Sequence, residues 1–178
     1  MRVSFTGHRP DKIAGWSEAQ GAVEVALRRA LAREILRLVE EEGAEEFVSG
    51  MAPGVDLWAA DEVLRLRGEG VIPSHVRLLL AIPYPAFERS FGAQWRTLYE
   101  SIVAGADEGV YVSHGYHPGC YQKRNDYLAE RADVLLAYQV AVLCTDRVGG
   151  AHGVVGQLVV LSNLANQISS SLPIGQLL

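Results

Sequence analysis

Ser49-Gly50-Met51-Ala52-Pro53-Gly54-Val55-Asp56-Leu57-Trp58-Ala59-Ala60 carries the pattern on which the fold turns. A short apolar run, Glu46 to Val48, leads into it. Gly50 and Gly54 bound a turn, and Val55, Trp58, Ala59, Glu62, Val63 and Leu66 then recur at spacings of three and four, the period of a helix. Strand, glycine turn and helix in that order aim free N–H groups at an anion, because the first helical turn holds no acceptors for them. The two glycines can take positive φ and let a ligand approach the backbone. Asp56 falls in the first helical turn, placed to accept from ribose hydroxyls or simply to complement the helix dipole. An ordinary βα turn with a dipole-matching acid fits the same residues, and the string is not the dinucleotide fingerprint.

Upstream, Val3 to Phe5 reads as a first strand that ends in Thr6-Gly7-His8-Arg9-Pro10. In an open parallel sheet that end of a strand is where ligands bind. Arg9 offers a planar set of five donors to phosphate or carboxylate, with His8 beside it. Pro10 stiffens the turn and bars helix at Arg9. An exposed loop arginine is the plain alternative. Ser17 to Gly43 is the strongest helix, with Val23, Leu27, Leu31, Ile35 and Val39 on one face. Its Arg28, Arg29, Arg33 and Arg37 are expected to form a solvated face.

Downstream, Val76 to Ile82 is nearly continuous in apolar residues, as in a parallel strand buried on both faces. It ends in Pro83-Tyr84-Pro85, where Tyr84 is placed to stack on a base or to pack on its own loop. Phe87, Phe91, Trp95, Leu98 and Ile102 form a helical stripe assigned to the core. Gln94 and Trp95 stand near the helix start, where they would border a pocket, and Trp95 is a second candidate to stack on a base. Glu108 to Val112 is a short strand. The loop from Ser113 to Gly119 leads into Tyr121-Gln122-Lys123-Arg124-Asn125, where an Arg-Asn pair at a helix start suits a phosphate and an amide. His114 and His117 have no third ligand nearby, so no metal is expected. Ala132 to Tyr138 is a fifth strand. After it, Gly149-Gly150-Ala151 is expected to open a helix over Val154 to Leu161, a second anion-facing helix N-terminus.

At 178 residues the chain suits one domain, taken as residues 1–166 with a partly disordered tail over 167–178. A net charge of −5 argues against holding nucleic acid by phosphate neutralisation. Cys120 and Cys144 have neither metal-ligand spacing nor a disulfide framework, and the N-terminus turns polar at once, so reduced thiols in a cytoplasmic protein are expected. No apolar run reaches the roughly 18 residues of a membrane span.

These motifs, in this order, resemble the YpsA-like family, a domain of unknown function in the SLOG superfamily. The superfamily is the Rossmann-like group that also holds the DNA-processing protein DprA and the Lonely Guy nucleoside-monophosphate phosphoribohydrolases. The stretches that carry the resemblance are Gly7-His8-Arg9-Pro10, Ser49 to Ala60, Pro83-Tyr84, Tyr121 to Asn125, Ala132 to Tyr138 and Gly149-Gly150. It implies an α/β fold, a doubly wound and mostly parallel sheet of five to six strands with helices on both faces. It also implies a nucleotide-derived ligand of the AMP, ADP-ribose or NAD type at the C-terminal ends of the strands, and self-association into a homo-oligomer. Carried over by position, Gly7, His8, Arg9, Ser49, Gly50, Met51, Gly54, Asp56, Tyr84, Arg124 and Asn125 line the site, and Gly149, Gly150 and Ala151 hold a phosphate. Ala151 stands where the family usually has threonine. Gly149 to Gln157 also lack the Thr and the catalytic Glu of the Lonely Guy motif. The first expectation is therefore a binding or sensor domain. Rival expectations are an N-glycosidic phosphoribohydrolase, with Asp56 as its one candidate acid, and single-stranded DNA binding by analogy with DprA.

Overall fold

The computed structural model describes residues 1–13, 16–143 and 153–162. Six strands form one sheet. In chain order they are β1 (Arg2–Thr6), β2 (Glu46–Ser49), β3 (Arg77–Ile82), β4 (Glu108–Tyr111), β5 (Val134–Leu143) and β6 (Gly153–Ser162). Four α-helices accompany them: α1 (Trp16–Glu42), α2 (Val55–Gly68), α3 (Ala93–Gly105) and α4 (Cys120–Arg131). Two 3-10 turns, Pro10–Lys12 and Phe87–Ser90, complete the described elements.

The sheet order is β4-β3-β2-β1-β5-β6. β1 to β5 are parallel, and β6 runs antiparallel to β5. The chain therefore steps outward from β1 to β4, then returns through α4 to place β5 on the far side of β1. Strand order reverses between β1 and β5, and such a reversal opens a crevice outside the carboxyl ends of the strands.

Alternation along each strand divides the side chains between two layers. Val3, Phe5, Phe47, Leu78, Leu80 and Ile82 join the larger core with α1, α2 and α3, including Leu31, Ile35, Leu57, Trp58 and Ile102, all fully or nearly fully buried. Val48 and Ala81 pack on the other face with Leu128 of α4. Ser4 also belongs to that layer, and its hydroxyl is satisfied by donating to the Leu128 carbonyl at 3.0 Å. Helices thus cover both faces. Burying one large apolar side chain is worth about 1.5–3 kcal/mol, so the long face of α1 and the whole inner face of α2 hold their helices far more firmly than propensity does.

Two details differ from the expectations. The segment expected to be a helix over Val154 to Leu161 is strand β6, paired with β5 from Val134↔Ser162 to Leu143↔Gly153. Val154, Val155, Val159 and Val160 are β-branched and Gly156 weakens a helix, so strand propensity prevails over an ambiguous apolar spacing. A second helix N-terminus built on that segment is thereby removed. Gly149, Gly150 and Ala151 lie outside the described residues, as does the tail 167–178. Lastly, Arg28 is not part of a solvated face. It pairs with Asp61 and, at 2.9 Å, with Glu62, itself 4% exposed, and so ties α1 to α2. Arg29 and Arg33 are exposed as expected. Gly43 ends α1 with φ +69°, the left-handed stop that its position suggested.

Candidate functional site

A cavity of about 320 Å³ opens at the C-terminal end of β1, beside the point where strand order reverses. Thr6, Gly7, His8, Arg9, Asp11 and Lys12 form one wall, Ala52 and Asp56 another, and Tyr121 and Arg124 of α4 a third. The first wall is fixed by Pro10, which starts the 3-10 turn, and by the Lys12 N–H donating to the Arg9 carbonyl at 2.9 Å. His8 Nδ1 lies 3.2 Å from the Tyr138 carbonyl, which joins the β1 turn to β5 across the crevice. Three cations and two carboxylates line the cavity. Arg124 is paired with Asp56, and Lys12 lies 3.7 Å from Asp11. Arg9 is exposed, and its side chain makes no hydrogen bond or ion pair among the described residues.

The floor is a buried ion pair. Arg124 Nη1 donates to Asp56 Oδ2 at 2.8 Å, with the two side chains 6% and 3% exposed. The Ala52 N–H also faces Oδ2, at 3.4 Å. Burial pushes the Asp56 carboxyl above its ordinary range, while the Arg124 guanidinium, the Ala52 N–H and the charge of Arg9 oppose that rise. Asp56 Oδ1, Arg124 Nε and Asn125 Nδ2 are buried without a hydrogen-bond partner among the described residues. Buried polar atoms are nearly always satisfied, so those of Asp56 and Arg124, which line the cavity, mark unused bonding capacity at its floor.

The glycine turn serves this pair. A Cβ on Gly50 would stand 1.8 Å from Arg124 Nη1 and 2.8 Å from Asp56 Oδ2. Gly50 therefore makes room for the guanidinium. Gly54 has φ +100°, and a Cβ there would meet the His8 carbonyl at 2.7 Å. Ser49 Oγ donates to the Asp56 carbonyl at 2.9 Å and accepts from the Met51 N–H at 3.1 Å. Met51 sits in the left-handed region at φ 61°. For a non-glycine residue that conformation persists only when its surroundings hold it, and here Met51 is fully buried.

The structure thus brings Gly7, His8, Arg9, Asp56 and Arg124 together on the cavity. Ser49, Gly50, Met51 and Gly54 lie behind that wall, shaping it, and Asn125 adjoins Arg124 on α4. Tyr84 is set back from the cavity. Its hydroxyl lies 3.4 Å from that of Tyr121, and this bond, with burial, raises its pKa to about 12. Trp95 packs on Trp58 at 5.4 Å, away from the cavity. Lining residues not expected from the sequence are Thr6, Asp11, Lys12, Ala52 and Tyr121. Tyr121 had a signal, since it opens the Arg-Asn helix. Asp11 and Lys12 had none beyond adjacency to Arg9.

Comparison with known proteins gives the family. The YpsA family model, described as the YspA SLOG family, matches residues 3–140. A UPF0398 protein of Brevibacillus brevis is 28% identical over 140 residues, covering 77% of this chain and 72% of the relative. A UPF0398 protein of Halalkalibacterium halodurans is 29% identical over 140 residues, covering 75% and 69%. One from Bacillus cereus is 28% identical over 137 residues, covering 76% and 72%. The matched span holds every element that contributes to the cavity. Among the described residues, no helix is long and apolar enough to cross a membrane.

Proposed function

This chain belongs to the YspA SLOG family, and from that premise we propose that it binds a nucleotide-derived small molecule at the C-terminal ends of β1 and β5. The observation that carries the reading is Arg9: a guanidinium without a partner among the described residues, on the rim of a cavity at the strand-order reversal. Arg9 and Lys12 take the phosphate, for which a guanidinium fork is well shaped. The unused capacity of Asp56 Oδ1 and Arg124 Nε supports a polar, sugar-like body against the floor. The cavity volume falls at the small end of ligand sites, about 300–1,000 Å³, which suits a mononucleotide or one half of a dinucleotide. Binding without turnover is the form of the reading that the floor favours, because Asp56 is enclosed and committed through Oδ2 to Arg124.

Thermal-shift measurement with AMP, ADP-ribose and NAD tests the proposal, with Arg9→Ala alongside. A ligand at about a hundred times its dissociation constant adds roughly 2.7 kcal/mol of stability. The expected result is a clear shift with at least one of the three, abolished by Arg9→Ala. A shift that survives Arg9→Ala, or no shift with any of them, contradicts the proposal.

A further inference from the structure

One aromatic ring, Tyr121, reaches the cavity wall, and it is the near edge of a cluster that continues away from it. Tyr121 lies 6.5 Å from Tyr116 and 6.3 Å from Tyr84, centroid to centroid, and Tyr84 lies 5.6 Å from Tyr116. All three contacts are edge-to-face, with interplanar angles of 66–76°. Phe87 closes the cluster from below and is 1% exposed. Tyr116 differs from the rest, with 69% of its surface in water. Its loop is nonetheless tied at both ends. The Ser113 N–H donates to the Pro83 carbonyl at 3.0 Å, His117 Nε2 lies 3.2 Å from Ser113 Oγ, and the Cys120 N–H donates to the His117 carbonyl at 3.1 Å.

The result is a large ring on an anchored loop, braced by edge contacts and separated from the cavity only by the Tyr121 ring. That cavity is small, about 320 Å³, and Tyr121 is the one tyrosine among its described lining residues, so a planar ring carried by a sugar phosphate meets its aromatic contact on the Tyr121 side. Tyr84 is unsuited to supply it, because its hydroxyl is tied to Tyr121 and its ring is braced by three neighbours. We infer that Tyr116, backed by Tyr121, is the stacking platform for the base of the bound nucleotide, and that it sets the preference for a nucleotide over a bare sugar phosphate. The inference rests on the nucleotide reading of the cavity and adds the residue that reads the base.

The test is titration calorimetry of AMP and of ribose 5-phosphate against the full chain, its Tyr116→Ala variant and its Tyr116→Phe variant. Base–aromatic stacking strengthens binding by about tenfold per base. The wild-type chain is expected to prefer AMP by about that factor. Tyr116→Ala then weakens AMP about tenfold and leaves ribose 5-phosphate unchanged, while Tyr116→Phe, which keeps the ring face, behaves as wild type. If AMP binds the wild type and Tyr116→Ala equally well, or if Tyr116→Ala weakens both ligands alike, the stacking role is overturned and the nucleotide reading stands. If the wild type binds neither AMP nor ribose 5-phosphate, the stacking role is overturned, and the nucleotide reading fails with it when ADP-ribose and NAD are silent too.

Discussion

At the N-terminal end of the sheet, Arg2, Glu46, Arg77 and Glu108 each open one of the strands β1 to β4, and they pair in a chain: Arg2–Glu46 at 2.5 Å, Arg77–Glu46 at 2.9 Å and Arg77–Glu108 at 3.1 Å. Asp133 accepts from the Arg2 N–H, and Asp107 pairs with Arg67. At the C-terminal end, among the described residues, the Arg9 side chain is unpaired and the Asp56–Arg124 pair keeps buried atoms without partners. The first arrangement closes on itself: each charge meets an opposite one on the neighbouring strand, in water, and nothing remains to recruit a ligand. The second is left open beside a cavity. What separates the two ends of this sheet is bonding capacity left over after the protein's own contacts are made, and the number of charges does not distinguish them.

The largest expected effect tests the buried pair. Arg124→Leu leaves the Asp56 carboxylate enclosed without its partner and should cost about 3–5 kcal/mol in urea denaturation. Combining it with Asp56→Asn should recover part of that loss. A cost below about 1 kcal/mol for the single change would mean that the pair is not the structural floor of the site. Gly50→Ala comes next, at about 2 kcal/mol, since its Cβ displaces the guanidinium. In an Arg124→Leu background the same change should cost clearly less, the remainder coming from Asp56 Oδ2 at 2.8 Å from the added Cβ, and a double-mutant cycle measures the difference. Full additivity would show that Gly50 is required for some other reason.

Smaller effects belong to the other end. Arg77→Ala breaks two exposed links and should cost under about 1 kcal/mol, with no effect on ligand binding. Asp107 supplies the pH test. Burial raises its carboxyl, but the Leu78 N–H and Arg67 together bring it below the ordinary value of 3.8. A lowered carboxylate stabilises the fold above its unfolded pKa, and that contribution is lost as pH falls through the folded value. Asp107→Asn should therefore lower the midpoint of thermal unfolding slightly at pH 7, and the gap should close below about pH 3.8. Asp107 is a third exposed, so solvent screening keeps the effect under about 1 kcal/mol. A gap that widens in acid would reverse the assignment.

Much of this was legible in the sequence, for reasons particular to each segment. The run Val76 to Ile82 and the stripe of α1 announced themselves because burial on two faces and on one face leave different periods. Arg9 and Asp56 could be placed together because strand–turn–helix order fixes which end of a sheet they occupy. Gly50 was found, but its role was not. A glycine that admits a ligand and one that admits an arginine 74 residues away (124 less 50 in the chain) look alike in sequence. The β6 segment was misread because valines at 154, 155, 159 and 160 satisfy both a helical spacing and a strand composition. Only pairing with β5 distinguishes the two. Tyr116 was hidden for a related reason: a tyrosine in a loop carries no mark of the rings it will lean on.

The most direct test of the contrast between the two ends is calorimetric titration of AMP into the wild-type chain, Arg9→Ala and Arg77→Ala, with stability measured on the same samples. The account predicts that Arg9→Ala abolishes binding while changing stability by no more than about 0.5 kcal/mol, as expected for an exposed, unpaired side chain, and that Arg77→Ala binds as wild type. Equal loss of binding in the two variants, or undiminished binding in Arg9→Ala, would contradict the assignment of the ligand to the C-terminal end.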